Sequence, residues 1–386
     1  MLRVLHTADV HLGARHTDLG EVAAAQRERQ FAAFRATVEL AILEKVDLLL
    51  IAGDLFDSNT QPARSVERVA AELRRLAEAA IRTVIIPGTH DVYDRASVFR
   101  AYDLAALAGA AGGDLVTVLT PERPEVRLPA LDAVVYGRVF ATKRAPRSPL
   151  ADFHAAEDGA TWRIGLVHGA LAIPGRTDGD EVVFTAEEIA ASGLDYLALG
   201  HWHSVLRGAA GPVTYAYSGA PEPVALDQDR AGKVLLVSLE LRDGQRQVSV
   251  EERTVGRTRF EALDLDVAGV ASQPALVERL ATFADPDLVL EVRLSGLLPD
   301  GLDLDVEEVE QQLGPRFLRL RVRAAWVPEL PAGAAPPPDT IAGALVRDLD
   351  ERIAAAEPGG RADEAAELRE VLRLGRHLLE GREVTL

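Results

Sequence analysis

The sequence predicts an α/β protein with two packed mixed sheets, followed by a small α+β domain and a helical tail. Three observations lead to this prediction. Residues 2 to about 140 alternate short apolar runs with longer amphipathic ones in a βαβαβ pattern. From about residue 126 strand-like runs follow one another closely, which is typical of a second, mixed sheet packed on the first. The pattern restarts at about residue 257 and ends in two helix-like segments.

The runs expected to form strands in the first domain are short and apolar. They include Val4-Leu5, Leu48 to Ile51, Val84 to Ile86, Ile164 to Val167, Tyr196 to Leu199, 213–217 and 233–239. Amphipathic segments at 21–45 and 62–80 separate the first three runs and predict helices that cover one face of the sheet.

Changes in composition divide the chain into four segments. We expect a catalytic domain at 1–256, an α+β domain at 257–327, a Pro-rich linker at 328–338 and a helical tail at 339–386. Asp339 is expected to cap a helix, and a second helix is expected at about 362–380. The first tail helix carries an apolar stripe, which either contacts a partner or folds back on this chain. The stripe consists of Ile341, Leu345, Leu349 and Ile353.

Composition limits the kind of site that the chain can build. The 386 residues are 48% apolar and 26% charged, as in soluble globular proteins, and contain no apolar run of 18 residues. We therefore expect a cytoplasmic protein with no membrane segment. The absence of cysteine excludes thiolate metal sites, so a metal must bind nitrogen and oxygen ligands. The net charge of −18 opposes attraction to nucleic acid, which would require a local basic track or a partner.

Five short polar motifs follow apolar strands, each at the carboxyl end of its strand. They are Asp9-Val10-His11, Gly53-Asp54, Gly88-Thr89-His90-Asp91, His168-Gly169 and Gly200-His201-Trp202-His203. Strand ends are where α/β proteins collect ligands, and the glycines allow sharp turns and close approach. A lone histidine at a strand end is more often part of the hydrogen-bonded structure than a ligand. Five such motifs in this order nevertheless predict a functional site.

The residue types in these motifs suit the hydrolysis of a phosphodiester. This reaction needs charge neutralisation of the phosphate, a hydroxide nucleophile and a proton for the leaving oxygen, and two metal ions supply the first two. Asp54 can bridge the metals, with Asp9 and His11 on one side and a second pair of ligands on the other. That second pair is His168 and His201.

The proton for the leaving oxygen requires an acid near the metals. His90 is the natural candidate, with Asp91 able to orient its ring. Asp57 either supports a ligand or caps a helix, and the sequence leaves this open.

The ordered motifs resemble the calcineurin-like metallophosphoesterase superfamily. Three segments are similar, more narrowly, to SbcD-type DNA-repair nucleases, relatives of the meiotic recombination nuclease. They are HTADVHLG at 6–13, AGDLFD at 52–57 and YSGAP at 217–221. The resemblance covers about residues 2–240, and beyond 257 it concerns architecture alone.

This resemblance implies a four-layer αββα sandwich with a capping domain, and a manganese-dependent DNA exo- or endonuclease. It also implies a partner, an SbcC-type coiled-coil ATPase that contacts the tail, and leaves a homodimer open. Two divalent ions are expected, with Asp9, His11 and His203 on the first and Asp54 bridging. His168 and His201 are then expected on the second, and His90 is expected to be catalytic.

One position departs from the family pattern. The third motif normally has an asparagine that ligates the second metal, where this chain has Thr89. Because its hydroxyl is a shorter and weaker ligand, we expect weaker binding of the second metal or a water in the gap. Thr89 suggests one alternative, a metal-impaired binding subunit. Another alternative keeps the enzyme but changes the substrate to a phosphoprotein, cyclic nucleotide or nucleotide-sugar.

Overall fold

The computed structural model describes residues 1–111, 115–144, 147–156, 159–175, 177, 182–226, 228, 230–299, 301–328, 336–337, 339–356, 364–365, 367–369, 371–372 and 375. The chain divides into two compact units, Met1–Phe260 and Glu261–Leu386. The division lies shortly after the expected boundary at residue 256.

The first sheet of unit Met1–Phe260 has six strands. They are β1 (Leu2–Thr7), β2 (Leu48–Ala52), β3 (Arg82–Ile86), β4 (Val116–Val118), β13 (Lys233–Arg242) and β14 (Gln245–Thr254). Their order is β14-β13-β1-β2-β3-β4, with β1 to β4 parallel and β13 antiparallel to both neighbours. All five residues of β2 are buried, since layers cover both of its faces, and this explains its uninterrupted apolar sequence.

The second sheet also has six strands. They are β5 (Glu125–Leu128), β6 (Ala133–Arg138), β7 (Trp162–His168), β10 (Tyr196–Gly200), β11 (Leu206–Ala210) and β12 (Val213–Tyr217). Their order is β11-β12-β10-β7-β6-β5, with antiparallel strands at both edges and parallel strands between them. A short parallel pair, β8 (Ala170–Leu171) and β9 (Val183–Phe184), precedes helix α5 (Ala186–Ala191).

Three hydrophobic clusters fix the order of the layers. Leu48 and Leu50 of β2 face Ile164 and Ala198 of the second sheet. The intervening residues of β2 face the opposite way, toward the helices on the outside of the first sheet. These helices are α1 (Ala23–Leu43), α2 (Ala63–Glu78), α3 (Val98–Ala101) and α4 (Leu104–Leu107). The third cluster includes Ile189 of α5 and covers the outer face of the second sheet. The predicted α/β sandwich of two mixed sheets is therefore confirmed.

The unit Glu261–Leu386 contains a three-stranded sheet with its own core. Its strands are β15 (Arg259–Asp266), which begins at the end of the preceding unit, β16 (Leu288–Leu298) and β17 (Arg319–Pro328), in that order. Helices α6 (Gln273–Ala281) and α7 (Val306–Leu313) supply Leu280 and Val309 to a cluster with Leu290 and Val292 of β16. This packing gives an α+β arrangement.

The tail helix α8 (Ile341–Ala356) differs from the sequence expectation in its amino-terminal cap. Its amino end is capped by Thr340, whose Oγ1 accepts a hydrogen bond from Gly343 N at 3.1 Å, rather than by Asp339. The apolar stripe is partly covered by this chain, because Leu349 is 3% exposed and clusters with residues from both parts of the tail, whereas Ile341 is 80% exposed. The cluster comprises Leu345, Leu349, Ile353, Leu368 and Leu372.

Two other expectations for the tail fall mostly on undescribed positions. The expected linker at 328–338 lies outside the described residues except at 328, 336 and 337. The expected helix at 362–380 is described only at 364–365, 367–369, 371–372 and 375. Among the helices of the described residues, none is long and apolar enough to cross a membrane.

Candidate metal centre

The five polar motifs meet at one edge of the two sheets. Strands β1, β2 and β3 run parallel, as do β7 and β10, so the turns that follow them emerge on the same side of each sheet. His168, the last residue of β7, is paired with Gly200, the last residue of β10. The sequence motifs therefore become neighbours although they are far apart along the chain.

The turns that carry the first two motifs have unusual backbone conformations. Asp9, His11 and Asp54 adopt positive φ angles of 52°, 49° and 50°. Residues other than glycine rarely adopt these φ angles, and they do so mainly where surrounding contacts stabilise the conformation. Here Asp9 N donates to Gly53 O at 3.1 Å and His11 N donates to Asp54 O at 2.9 Å. The two motifs thus fix each other's geometry.

Two glycines permit the close approach of the motifs. A methyl group at Gly53 would overlap the ring of His168, and one at Gly88 would overlap the carboxylate of Asp54. Glycine is required at both positions because the adjacent ligand side chain occupies the space of a Cβ atom.

Asp9, His11 and His203 form the first group of close ligand atoms. Nε2 of His11 lies 3.1 Å from Nε2 of His203. Because only one of the two facing ring nitrogens can carry a hydrogen at this distance, at least one of them presents a lone pair. The other edge of His203 is held by Gln228, whose Nε2 lies 2.6 Å from Nδ1 of the ring. No motif in the sequence pointed to Gln228.

Asp9, Asp54 and His168 form the second group. Nδ1 of His168 donates to the carbonyl oxygen of Ala52 at 2.9 Å, which directs Nε2 toward Asp54 Oδ2 at 3.2 Å. The same Asp54 oxygen lies 3.8 Å from Nε2 of His11. Asp54 therefore faces both groups.

Burial and charge shift the pKa values of these residues in opposite directions. Burial, with a contribution from the charge of Asp54, raises the pKa of Asp9 to about 6. Burial also opposes ionisation of Asp54, but the facing His168 and His11 outweigh it and hold the Asp54 pKa well below its usual value. For His168, burial lowers the pKa, yet Asp54 outweighs burial and raises the pKa to about 10.

His201 and Thr89 lie at the margin of the second group. Thr89 Oγ1 is 3.4 Å from Asp54 Oδ2 and 3.5 Å from His168 Nε2, so its hydroxyl faces the ligand atoms. The ring of His201 packs edge-on against His168 with centroids 5.4 Å apart, and its backbone N–H donates to Asp9. Within the described part of the chain, the groups of mutually close ligand atoms do not include His201.

The expected orientation of His90 by Asp91 is wrong. Asp91 is fully buried, and its carboxylate accepts hydrogen bonds from Gly88 N at 2.7 Å and Phe56 N at 3.1 Å. Burial, and then the nearby charge of Asp54, raises the pKa of Asp91 to about 7. Asp91 therefore joins the second and third motifs through their backbones.

Asp57 contacts the His90 ring instead. Its carbonyl oxygen lies 3.0 Å from His90 Nδ1, and its carboxylate lies 3.4 Å from His11 Nδ1. The hydrogen bond from His11 lowers the pKa of the Asp57 carboxylate. The sequence left open whether Asp57 supports a ligand or caps a helix. These contacts favour the first alternative, because Asp57 holds the rings of His11 and His90.

The arrangement fits divalent cations. Two carboxylates and several imidazole nitrogens are buried together, and burial of like charges is costly unless a cation compensates them. Nitrogen and oxygen ligands of this kind suit manganese, zinc or iron rather than calcium. The residues present thus match the requirement for a nitrogen and oxygen site in a chain without cysteine.

The calcineurin-like phosphoesterase family matches residues 2–205, which is more than half of the chain. The chain belongs to this family. The matched segment contains all the ligand candidates described above.

Three curated relatives give the range of similarity. The DNA double-strand break repair protein Mre11 of Aeropyrum pernix is 30% identical over 250 residues, 62% of this chain and 58% of that protein. The uncharacterized metallophosphoesterase YhaO of Bacillus subtilis is 27% identical over 219 residues, 52% of this chain and 48% of that protein. The chain thus spans only about half the length of these two relatives. The SbcD component of the nuclease SbcCD from Rhodobacter capsulatus is 28% identical over 406 residues, 92% of this chain and 94% of that protein.

Proposed function

We propose that this protein is a manganese-dependent DNA nuclease that hydrolyses phosphodiester bonds with two metal ions. One observation carries the proposal. Oδ2 of Asp54 lies 3.2 Å from Nε2 of His168 and 3.8 Å from Nε2 of His11, so one carboxylate oxygen faces both ligand groups. A carboxylate shared by two ions would hold them close enough together to act on one phosphate.

The ligand groups divide between the two ions. Asp9, His11 and His203 would hold the first ion, and Asp54 would be shared. The second ion would also bind His168, with His201 and Thr89 at its margin. When bound, the ions neutralise phosphate oxygens and activate a water molecule.

His90 supplies the proton for the leaving oxygen in this proposal. A carbonyl oxygen only accepts hydrogen bonds, so Nδ1 of His90 carries the hydrogen directed at Asp57 O. Nε2 is then the ring atom that delivers a proton. The backbone N–H of His90 donates to Asp54 Oδ1 at 2.7 Å, so the shared carboxylate also sets the position of the acid.

The substrate and partner follow from the named relatives. One of them is called a DNA double-strand break repair protein and another is part of the nuclease SbcCD, which supports DNA as the substrate and a second SbcCD component as the partner. We propose that this partner is an SbcC-type ATPase and that both act in the cytoplasm. The partner proposal does not rest on the tail stripe, because Leu345 and Leu349 pack within the tail.

The proposal is tested with a hairpin DNA and a small phosphodiester, bis(4-nitrophenyl) phosphate, each with manganese. The wild-type chain should bind two ions per molecule, measured by mass spectrometry of the metal, and hydrolyse both substrates. Asp54→Asn should lose both activities, since it removes the shared negative charge. Near wild-type turnover of Asp54→Asn would refute the two-metal assignment, and cleavage of the small ester without DNA cleavage would refute the substrate.

A further inference from the structure

A cleft of about 330 Å³ lies beside the metal centre, between the turn after β1 and the amino-terminal halves of α1 and α2. The residues that matter here are Leu12, Gly13, Arg27, Phe31, Arg64 and Arg68. Leu12 follows His11 directly and is hydrogen-bonded to Leu55 and Asp57 through its backbone. One wall of the cleft is therefore continuous with the segments that carry the metal and acid residues.

One of the three arginines has a fixed place in the cleft wall. The Arg68 guanidinium lies 3.6 Å from the centroid of the Phe31 ring and donates to both carboxylate oxygens of Glu28, at 2.9 and 2.8 Å. The stacking and the two-point ion pair hold Arg68 in one orientation. Its charge is balanced by Glu28.

The other two arginines remain available to a ligand. Arg27 and Arg64 are exposed, and within the described residues neither forms an ion pair, although the charge of Arg64 helps to lower the pKa of Glu28, whose carboxylate is held by Arg68. Arg27 donates one N–H to the carbonyl oxygen of Arg15, which leaves most of its five donors free. The cleft thus carries an excess positive charge in a chain whose net charge is −18.

We propose that this cleft binds the phosphodiester backbone of a nucleic acid strand whose scissile bond lies at the metal centre; this inference rests on the proposed function. A small ester has no phosphate beyond the one that reacts, so only a polymeric substrate reaches both places. Arginine binds phosphate oxygens in a two-point geometry. The cleft is therefore a local basic track of the kind that the acidic composition requires.

The expected effect follows from counterion release. For single strands, each phosphate contact contributes a slope of about −0.7 to the dependence of log affinity on log salt. Each contact therefore contributes about fivefold in affinity between 1 M and 0.1 M salt, and two contacts about 25-fold. Loss of both should have a large effect at low salt and none at 1 M.

The experiment measures the binding of a fluorescently labelled single-stranded oligonucleotide by anisotropy, with EDTA present to prevent cleavage. At 0.1 M salt, Arg27→Gln and Arg64→Gln should each weaken binding about fivefold and the double variant about 25-fold, with convergence at 1 M. Arg242→Gln is the matched control. Arg242 is an exposed arginine near the end of β13. Because Leu239 of β13 pairs with Leu2 at the start of β1, Arg242 lies at the sheet edge opposite to the metal centre. The Arg242 variant should therefore bind as the wild type does.

Hydrolysis of bis(4-nitrophenyl) phosphate separates this inference from the proposed function. The double variant should retain wild-type activity on the small ester, because neither arginine contacts the metal ligands. Unchanged DNA binding in the variants, no binding by the wild type at low salt, or parallel loss of small-ester activity would each overturn the cleft assignment. If the wild type fails to hydrolyse the small ester, the proposed function fails, and the binding titration still decides whether the cleft holds the strand.

Discussion

Loading the metal-free protein with manganese should release protons, because the ligands are partly protonated before the metal binds. The Asp54 carboxylate raises the pKa of His168 to about 10, so at pH 7 its ring is essentially fully protonated and should release about one proton. Asp57, Asp54 and Asp9 outweigh burial and raise the pKa of His11, which adds up to about one more proton.

The remaining ligands predict how the release depends on pH. Burial, and then the charge of a neighbouring histidine, lowers the pKa of His201 to about 4 and that of His203 to about 3, so neither contributes at pH 7. Asp9, with a pKa of about 6, is about one-tenth protonated at pH 7 and about nine-tenths at pH 5. The protein should therefore release about one to two protons at pH 7, and nearly one proton more than this at pH 5.

Calorimetric titrations in buffers of different ionisation enthalpy measure this number, since the observed heat changes linearly with the protons passed to the buffer. Arg242→Gln, remote from the ligands, serves as a control for the preparation. A release near zero at pH 7 would mean that His168 is neutral before the metal binds, and the pairing with Asp54 would be refuted.

Four substitutions test other parts of the site and the tail. His90→Ala should keep both ions, measured by metal analysis, yet lose about 10²–10⁴-fold in rate, because His90 is assigned as acid and not ligand; a parallel loss of one ion would contradict this role. Thr89→Asn should lower the manganese concentration needed for half-maximal activity by supplying an amide oxygen; an unchanged requirement would mean that Thr89 does not contact the ion. Asp57→Asn keeps the carbonyl that holds His90 but weakens support of His11, so metal affinity should fall about 10–100-fold, and a normal affinity would argue against that support. Leu349→Ala should destabilise the tail by about 2–5 kcal/mol in hydrogen exchange, whereas unchanged protection would show that the buried cluster does not form.

The sequence by itself determined the sandwich and the identity of the ligand candidates. The unbroken apolar run Leu48 to Ala52 is typical of a strand covered on both faces, and a polar motif after such a strand emerges at the sheet edge. Both are local properties, because apolar periodicity and the position of glycine beside Asp54 are visible within a few residues. The type of chemistry followed from the residue types alone.

The roles of the supporting residues were decided only by the tertiary structure. Asp91 follows His90 directly, yet the chain turns so that its carboxylate binds Gly88 and Phe56, and Asp57 takes the place beside the ring. Gln228 reaches the edge of His203 from a loop with no recognisable pattern. Side-chain directions at such turns depend on backbone angles set by contacts between distant segments, and local sequence does not encode them.

The tail shows the same division. The repeat of Leu345, Leu349 and Ile353 predicted an amphipathic helix, and α8 forms there. Whether its apolar face would meet a partner or this chain could not be read from the repeat, because either surface removes the same apolar area from water. In the tertiary structure Leu368 and Leu372 lie against that face, so Leu349 and Ile353 are buried within the tail while Ile341 stays exposed.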